Sequence, residues 1–172
     1  MMKDKHMQIR AEQNADITAI DEVVTAAFLQ AAHSSHTEQY IVQALREAQK
    51  LTVSLVALEA GKIVGHVAIS PVCISDGSEH WYGLGPVAVL PAWQQQGIGK
   101  ALIQAALEAL RALDAAGCVV LGEPEYYQRF GFKAIPQLVL ADVPPKYFMA
   151  LAFQAELPHG EVTYHSAFNA TA

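Results

Sequence analysis

Two glycines lie at the start of a predicted long helix, where glycine ordinarily weakens the structure. Gly97 and Gly99 follow the apolar run GPVAVL (85–90) and the segment PAWQQQ (91–96). Glycine inside a helix costs roughly 1 kcal/mol relative to alanine. At the first turn, however, the missing Cβ lets a ligand approach N–H groups that have no partner within the helix, and the helix dipole favours an anion. The spacing therefore predicts a phosphate-binding loop, with an ordinary strand-to-helix connection as the alternative.

This glycine pair does not match the common nucleotide-binding patterns. Gly99-Lys100 is followed by Ala101, where a P-loop requires Ser or Thr. Leu102 stands where a GxGxxG fingerprint requires its third glycine. The glycine pair therefore belongs to neither of these two motifs.

The elements around the loop form a predicted β-α-β unit. Apolar residues at helical spacing predict a helix over 97–116, with Gly117 as its C-terminal cap. A strand over 79–90 precedes this helix, and the apolar run CVVLG (118–122) follows it. Such a crossover joins parallel strands and is right-handed.

The rest of the chain predicts helices first and then antiparallel strands. One helix begins near Asp16, and a second contains the capping-box pair Ser35 and Glu38. Strands over 51–59 and 63–74 form a hairpin that continues into the strand of the β-α-β unit. The segment PEYYQRF predicts a short helix, and the strands in KYFMALAFQAEL and EVTYHSAF are expected to form a final hairpin. A mixed α/β sheet follows.

Composition limits the classes of function. The length of 172 residues fits a single domain over 1–172, and the net charge of −6 disfavours nucleic acid and anionic membranes as partners. The polar N-terminus lacks the apolar stretch of a signal peptide, and no apolar run could span a bilayer, so a cytoplasmic location is expected. Cys73 and Cys118 lie in apolar runs and are expected to be buried free thiols. No zinc pattern accompanies them, and no metal is expected.

Three motifs, taken together, resemble a known family. QQQGIGKAL is similar to the Q/R-x-x-G-x-G/A motif of the GNAT superfamily of N-acetyltransferases. GPVAVLPAW resembles the strand before that motif, and YYQRFGF resembles the Y-x-x-L-G-F segment, with Phe130 in place of Leu. The resemblance covers most of the chain and is strongest to the YhbS-like group of predicted acetyltransferases. It implies the GNAT fold: a mixed, mostly antiparallel sheet with one parallel, splayed strand pair, flanked by helices.

The resemblance also implies a set of contacts with acetyl-CoA as cosubstrate. The loop amides would bind the pyrophosphate, and a strand segment would pair with the pantetheine arm. Carried over to this sequence, the loop residues are Gln95, Gln96, Gly97, Ile98, Gly99 and Lys100, and the strand residues are Val87, Ala88 and Val89. Core packing is the alternative role for the two valines, and both roles are compatible.

For the chemistry, the resemblance implies that Tyr127 is the general acid that protonates the leaving thiolate, with Tyr126 as a packing aromatic. A backbone N–H near Val89 would donate to the oxyanion. Val120 stands where many members carry an Asn that contacts the cofactor, a departure from the family pattern. Arg129 and Lys133 are further candidates for contacts with the phosphates. The alternative for both is a solvated surface charge.

The implied activity is transfer of an acetyl group from acetyl-CoA to a primary amine of a small molecule or peptide, by direct attack in a ternary complex. The alternatives are a non-catalytic acyl-CoA-binding or sensing module and an enzyme that uses a longer acyl-CoA. For the general base, Glu123 is a candidate, although a helix-start carboxylate explains it equally, and His66 fits a core histidine better. Glu38 is better explained by the capping box, although the loop AAHSSH before it is a candidate border of the acceptor site. No base is assigned. An exposed strand near the C-terminus would allow a homodimer.

Overall fold

This computed structural model describes residues 7–32 and 34–172, which form a sheet flanked by helices. The first half contains β1 (Met7–Ala11), α1 (Ile17–Phe28), α2 (Glu38–Glu47), β2 (Val53–Glu59), β3 (Lys62–Ile74) and β4 (Trp81–Val89). The second half contains α3 (Ile98–Ala112), β5 (Gly117–Leu121), α4 (Pro124–Tyr127), β6 (Leu138–Val139), β7 (Phe148–Ala152) and β8 (Gly160–Tyr164). None of these described helices combines the length and the apolar character that crossing a membrane requires.

The strands form a mixed sheet whose main order is β1-β2-β3-β4-β5-β7. Neighbours in this order are antiparallel except β4 and β5, which run parallel and are joined by α3. Outside the main order, β8 pairs with the far end of β3 and, over two residues, runs parallel to β6. The predicted α/β fold, with β4 and β5 as its parallel pair, is confirmed.

Helices cover both faces of the sheet. On one face, α3 buries Leu102, Ile103 and Leu110 completely against β2, β3 and β4. On the other face, α1 buries Ile20 and Val24. These positions follow the 3.6-residue period of a helix, and truncating one such leucine to alanine typically costs about 2–5 kcal/mol. The two apolar layers hold β4 in the centre of the molecule.

The predicted C-terminal hairpin is wrong. β7 pairs antiparallel with β5, whereas β8 pairs with β3 and β6. The connection over 153–159 is long enough to carry the chain from one part of the sheet to another. Both strands carry apolar residues that either arrangement would bury, so the sequence pattern does not choose their partners.

Three smaller expectations are also wrong. Helix α3 ends at Ala112 rather than at 116, and Gly117 begins β5 instead of capping the helix. A Cβ at Gly117 would collide with the Trp81 ring, so close packing explains this glycine. At the start of α2, Ser34 rather than Ser35 hydrogen-bonds Glu38. Of the two cysteines, Cys118 is buried as expected but Cys73 is exposed.

Candidate active site

Strands β4 and β5 separate part-way along their length. Their pairing ends at Gly83, opposite Val119. Beyond this point β4 continues to Val89 alongside β3, and β5 continues to Leu121 alongside β7. Among the described residues, the side of β4 that faces β5 therefore has no strand partner after Gly83. We call this opening the strand gap.

Backbone groups of Val87 and Val89 face the strand gap. Leu90 N–H donates to Val64 O at 2.9 Å, which directs Leu90 towards β3. Successive residues of a strand direct their backbone groups to opposite sides, so Ala88 also faces β3 and the two valines face away from it. The valine side chains still pack in the core around α3. Core packing and an open backbone therefore coexist at the same two residues.

Gln94 lies at the end of this open edge. Its Nε2 donates to Val89 O at 3.0 Å. Gln94 is outside the set predicted from the sequence, although it opens the run of three glutamines. This hydrogen bond uses a backbone carbonyl that would otherwise be free to pair with a ligand.

The loop between β4 and α3 exposes backbone N–H groups. Gln95 and Gly97 adopt left-handed conformations, with φ of 62° and 84°. A Cβ on Gly97 would meet nothing within 4 Å, so the space beside the loop is open. The first hydrogen bond of α3 runs from Ala101 N to Gly97 O at 3.0 Å. The N–H groups of the first turn before Ala101 have no acceptor in the helix and are available to an anion.

A cleft of about 420 Å³ adjoins this loop and reaches Val89. Five of the six predicted loop residues line it; Gln96 does not, and its side chain donates to Ala92 O at 3.3 Å. Lys100 and Arg129 supply positive charge to the cleft, whereas Lys133 is outside its lining. The cleft thus combines free amides, open space and two cations, the groups that bind phosphate.

Helix α4 directs its two tyrosines into different cavities. Tyr126 lines the loop cleft, where the Arg129 guanidinium carbon lies 4.7 Å from the centroid of its ring. Tyr127 lines a second pocket, and its ring packs so closely on Gly122 that a Cβ there would collide with it. Burial raises the pKa of Tyr127 to about 12, and burial also raises the pKa of Tyr126. Both phenols are therefore neutral at pH 7.

The second pocket has a volume of about 380 Å³ and lies at the other end of the open edge. Its walls include Val87 and Leu84 from β4, Leu121 from β5 and Tyr127 from α4. The strand gap therefore connects two cavities: the loop cleft at Val89 and this pocket at Val87. A ligand that follows β4 would have one end among phosphate-binding groups and the other beside Tyr127.

Of the side chains considered for proton removal, Glu38 lines the second pocket, whereas Glu123 and His66 line neither cavity. Glu123 is exposed, and its backbone carbonyl accepts the Tyr126 and Tyr127 N–H groups at 3.1 Å, as expected of a helix-start residue. His66 is completely buried, with Nε2 2.8 Å from Ser54 Oγ, and burial lowers its pKa to about 4. Burial likewise raises the pKa of the Cys118 thiol, which disfavours the reactive thiolate.

Metal chemistry has no obvious ligand set in the described part of the chain. Over 7–32 and 34–172, no three or more His, Cys, Asp or Glu side chains cluster in a way that could hold a metal ion.

A family model and curated relatives agree with this geometry. The model of the acetyltransferase (GNAT) domain matches residues 50–134, a range that contains the strand gap, the glycine loop and both tyrosines. Over 128 residues, the chain is 37% identical to the uncharacterized N-acetyltransferase YhbS of Escherichia coli K12, covering 74% of each protein. This chain belongs to the GNAT family of acetyltransferases. It is also 31% identical over 130 residues to YjhQ of the same organism, another uncharacterized N-acetyltransferase, covering 74% of this chain and 70% of that protein.

Two solved GNAT structures resemble the whole fold. A GNAT family acetyltransferase from Brucella melitensis, in complex with acetyl-CoA, is 50% identical, with a TM-score of 0.85 over 95% of this chain and 98% of that one. Escherichia coli YhbS, in complex with CoA, has a TM-score of 0.87 over 97% of this chain and 94% of that one. Over this superposition, which is longer than the 128-residue sequence match, the two chains are 30% identical.

Proposed function

We propose that this GNAT protein is an acetyl-CoA-dependent N-acetyltransferase, which acetylates a primary amine of a small molecule or peptide by direct attack in a ternary complex. The strand gap carries this proposal, because it joins the loop cleft at Val89 to the pocket at Val87. An extended ligand can pair with an open strand edge through its amide groups. The two similar structures that contain acetyl-CoA or CoA support this choice of ligand.

The loop fits the phosphate end of such a ligand. The open space beside Gly97 admits a pyrophosphate without a side-chain clash, and the first-turn N–H groups of α3 carry the positive end of the helix dipole. We assign this end to Gln95, Gln96, Gly97, Ile98, Gly99 and Lys100, with Gln96 acting through its backbone. Arg129 adds a second cation from α4's side of the cleft.

The strand edge fits the arm. Val87 and Val89 would pair with the arm's amides, while Ala88, buried at 2% exposure, anchors the strand against β3 and α1. Gln94 would release Val89 O when the arm binds. We place the oxyanion donor at the N–H of Val87, two residues before the position expected from the sequence. Val87 rather than Val89 lines the pocket that contains Tyr127.

When bound, acetyl-CoA supplies an acetyl thioester. The amine nitrogen forms a bond to the acetyl carbon, the C–S bond breaks, the sulfur leaves as a thiolate that gains a proton, and the amine loses one. Val87 N–H would stabilise the charge on the carbonyl oxygen, and Tyr127 Oη would donate to the departing sulfur. No group is assigned as the base in this proposal.

Turnover with a panel of amines tests the function. We expect thiol release from acetyl-CoA that depends on an amine, and mass spectrometry should find that amine heavier by one acetyl group. Longer acyl-CoAs, run in parallel, would show whether the acetyl group is preferred. Tight CoA binding without transfer to any amine would contradict the proposal and favour a binding or sensing module.

Three broader expectations stay predictions: a single domain over residues 1–172, a cytoplasmic location and a homodimer. Size-exclusion chromatography with light scattering measures the oligomeric state directly.

A further inference from the structure

We propose that the pocket at Val87, which we call the acceptor pocket, binds a primary amine with an apolar body and holds its ammonium group at Glu38. This inference rests on the proposed acetyltransferase function and narrows its substrate class. The pocket is the cavity of about 380 Å³ that also contains Tyr127.

Most of the acceptor pocket is apolar. Phe28 and Ile41 contribute from α1 and α2, Leu84 from β4, and Leu140 and Phe168 from the C-terminal third of the chain. Glu38 is the one charged residue among the described residues that line it. Apolar walls favour an apolar body, whereas a second charged group on the ligand would be buried here without a partner.

Glu38 is positioned to receive an ammonium group. It lies in the first turn of α2, is half-buried, and accepts a hydrogen bond from Ser34 Oγ at 2.8 Å. A carboxylate has about four acceptor sites, so most of its capacity remains for a ligand. None of the ion pairs within the described residues involves Glu38. A carboxylate in an apolar pocket favours a cation and repels an anion.

Tyr164 provides a further polar group in the same pocket. Its hydroxyl oxygen is buried and has no hydrogen-bond partner among the described residues. The position of a Cβ on Gly83 would lie 2.8 Å from Tyr164 Cε2, which places the ring where β4 and β5 separate. An unpaired buried hydroxyl is costly, and a hydrogen bond from the bound amine would remove that cost. We therefore assign Tyr164 as a positioning residue for the amine.

Three probe amines separate charge from apolar contact. 2-Phenylethylamine has the expected body and charge, phenylalanine adds a carboxylate to the same body, and ethanolamine lacks the body. With acetyl-CoA, we expect kcat/KM for 2-phenylethylamine to exceed both others by at least about tenfold, because phenylalanine would bury an unpaired charge and ethanolamine would lose the ring contact.

Variants of the lining residues test the roles of single groups. Glu38→Gln should lower kcat/KM for 2-phenylethylamine at least about tenfold, chiefly through KM, and reduce its advantage over phenylalanine. Glu38→Asp should retain that advantage. Glu47→Gln, an exposed change on the same helix, is the control and should match the wild type. Tyr164→Phe should raise KM for the amine about two- to tenfold. Calorimetry should find the same acetyl-CoA affinity in all four variants.

Distinct results would overturn the inference and the function. Acetylation of ethanolamine or phenylalanine as efficiently as 2-phenylethylamine would refute the acceptor class and leave the proposed function standing. Equal losses for both aromatic amines in Glu38→Gln would refute the role of Glu38. No acetylation of any amine by the wild type would instead refute the proposed function, and the inference with it.

Discussion

Replacing Tyr127 with phenylalanine removes one hydroxyl from the acceptor pocket and leaves the ring in place. The ring packs edge-on against Phe132, with centroids 6.0 Å apart, and against Tyr126 at 5.1 Å. Because these contacts involve the ring alone, we expect stability and acetyl-CoA affinity to change little. The effect should be confined to the chemical step, as a lower kcat.

The raised pKa of Tyr127 sets the size of that effect. At about 12 it lies well above the ordinary thiol value of about 8.5, so complete proton transfer from the phenol to a thiolate is unfavourable. The phenol would act as a hydrogen-bond donor to a charged sulfur, an interaction worth about 1.5–3 kcal/mol. At 1.36 kcal/mol per tenfold, the loss in kcat is about 10- to 150-fold, below the upper range of full general-acid catalysis.

The pH dependence provides a second measurement. A free amine is the nucleophile, so the rate should rise with pH towards the amine's own pKa of about 10. Tyr127 stays protonated over this range because its pKa is about 12, and it should cause no decline before about pH 10. Stopped-time thiol assays of wild type, Tyr127→Phe and the control Tyr126→Phe give both kcat and its pH profile. A large loss in Tyr126→Phe with full activity in Tyr127→Phe would refute the assignment, as would a wild-type decline near pH 8 that Tyr127→Phe abolishes.

Three further predictions concern the cofactor and the core. Gly97→Glu should weaken CoA binding at least about tenfold in calorimetry, whereas Gly61→Glu, at a glycine with similar φ (81° against 84°) and equally open space, should not; equal affinities would contradict the phosphate assignment. Acetyl-CoA at a hundredfold excess over its Kd should stabilise the fold by about 2.7 kcal/mol in thermal unfolding, and a larger shift with ATP or NAD would overturn the cofactor choice. The pKa of His66 is lowered by burial from 6.5 to about 4, so stability should be complete above pH 6.5 and fall by roughly 3 kcal/mol as the pH drops to 4, since the unfolded chain binds the proton first. Denaturant titrations should find a flatter pH slope in His66→Gln, and identical slopes would show that another group is responsible.

Local patterns were sufficient to predict the centre of the fold. The glycines, the apolar period of α3 and the short strand β5 are all encoded within about forty residues, and they position the strand gap and the loop cleft. The separation of Tyr126 from Tyr127 likewise follows from helix geometry, in which neighbouring residues point about 100° apart.

The acceptor side could not be predicted in the same way. Its walls come from segments as distant as Phe28 and Phe168, and no local spacing brings these together. The sequence pattern around Glu38 predicts a residue at the start of a helix, and a residue in that role can also line a pocket. The position of Tyr164 depends on which strand pairs with β8, and the sequence analysis predicts the wrong partner for that strand. The hydrogen bond from the Gln94 side chain to Val89 O is a tertiary contact, and no sequence pattern predicts it.

The short open edge of β4 also bears on aggregation through strand edges. An exposed strand edge is a template for the edge of another chain and promotes aggregation. Here the unpaired edge lies between β4 and β5, inside the sheet rather than at its border, and spans only a few residues after Gly83. Gln94 additionally satisfies the carbonyl of Val89. An unpaired edge enclosed between two strands of the same sheet is less accessible to another chain than an edge at the border, so its position disfavours edge-to-edge pairing between copies of the chain.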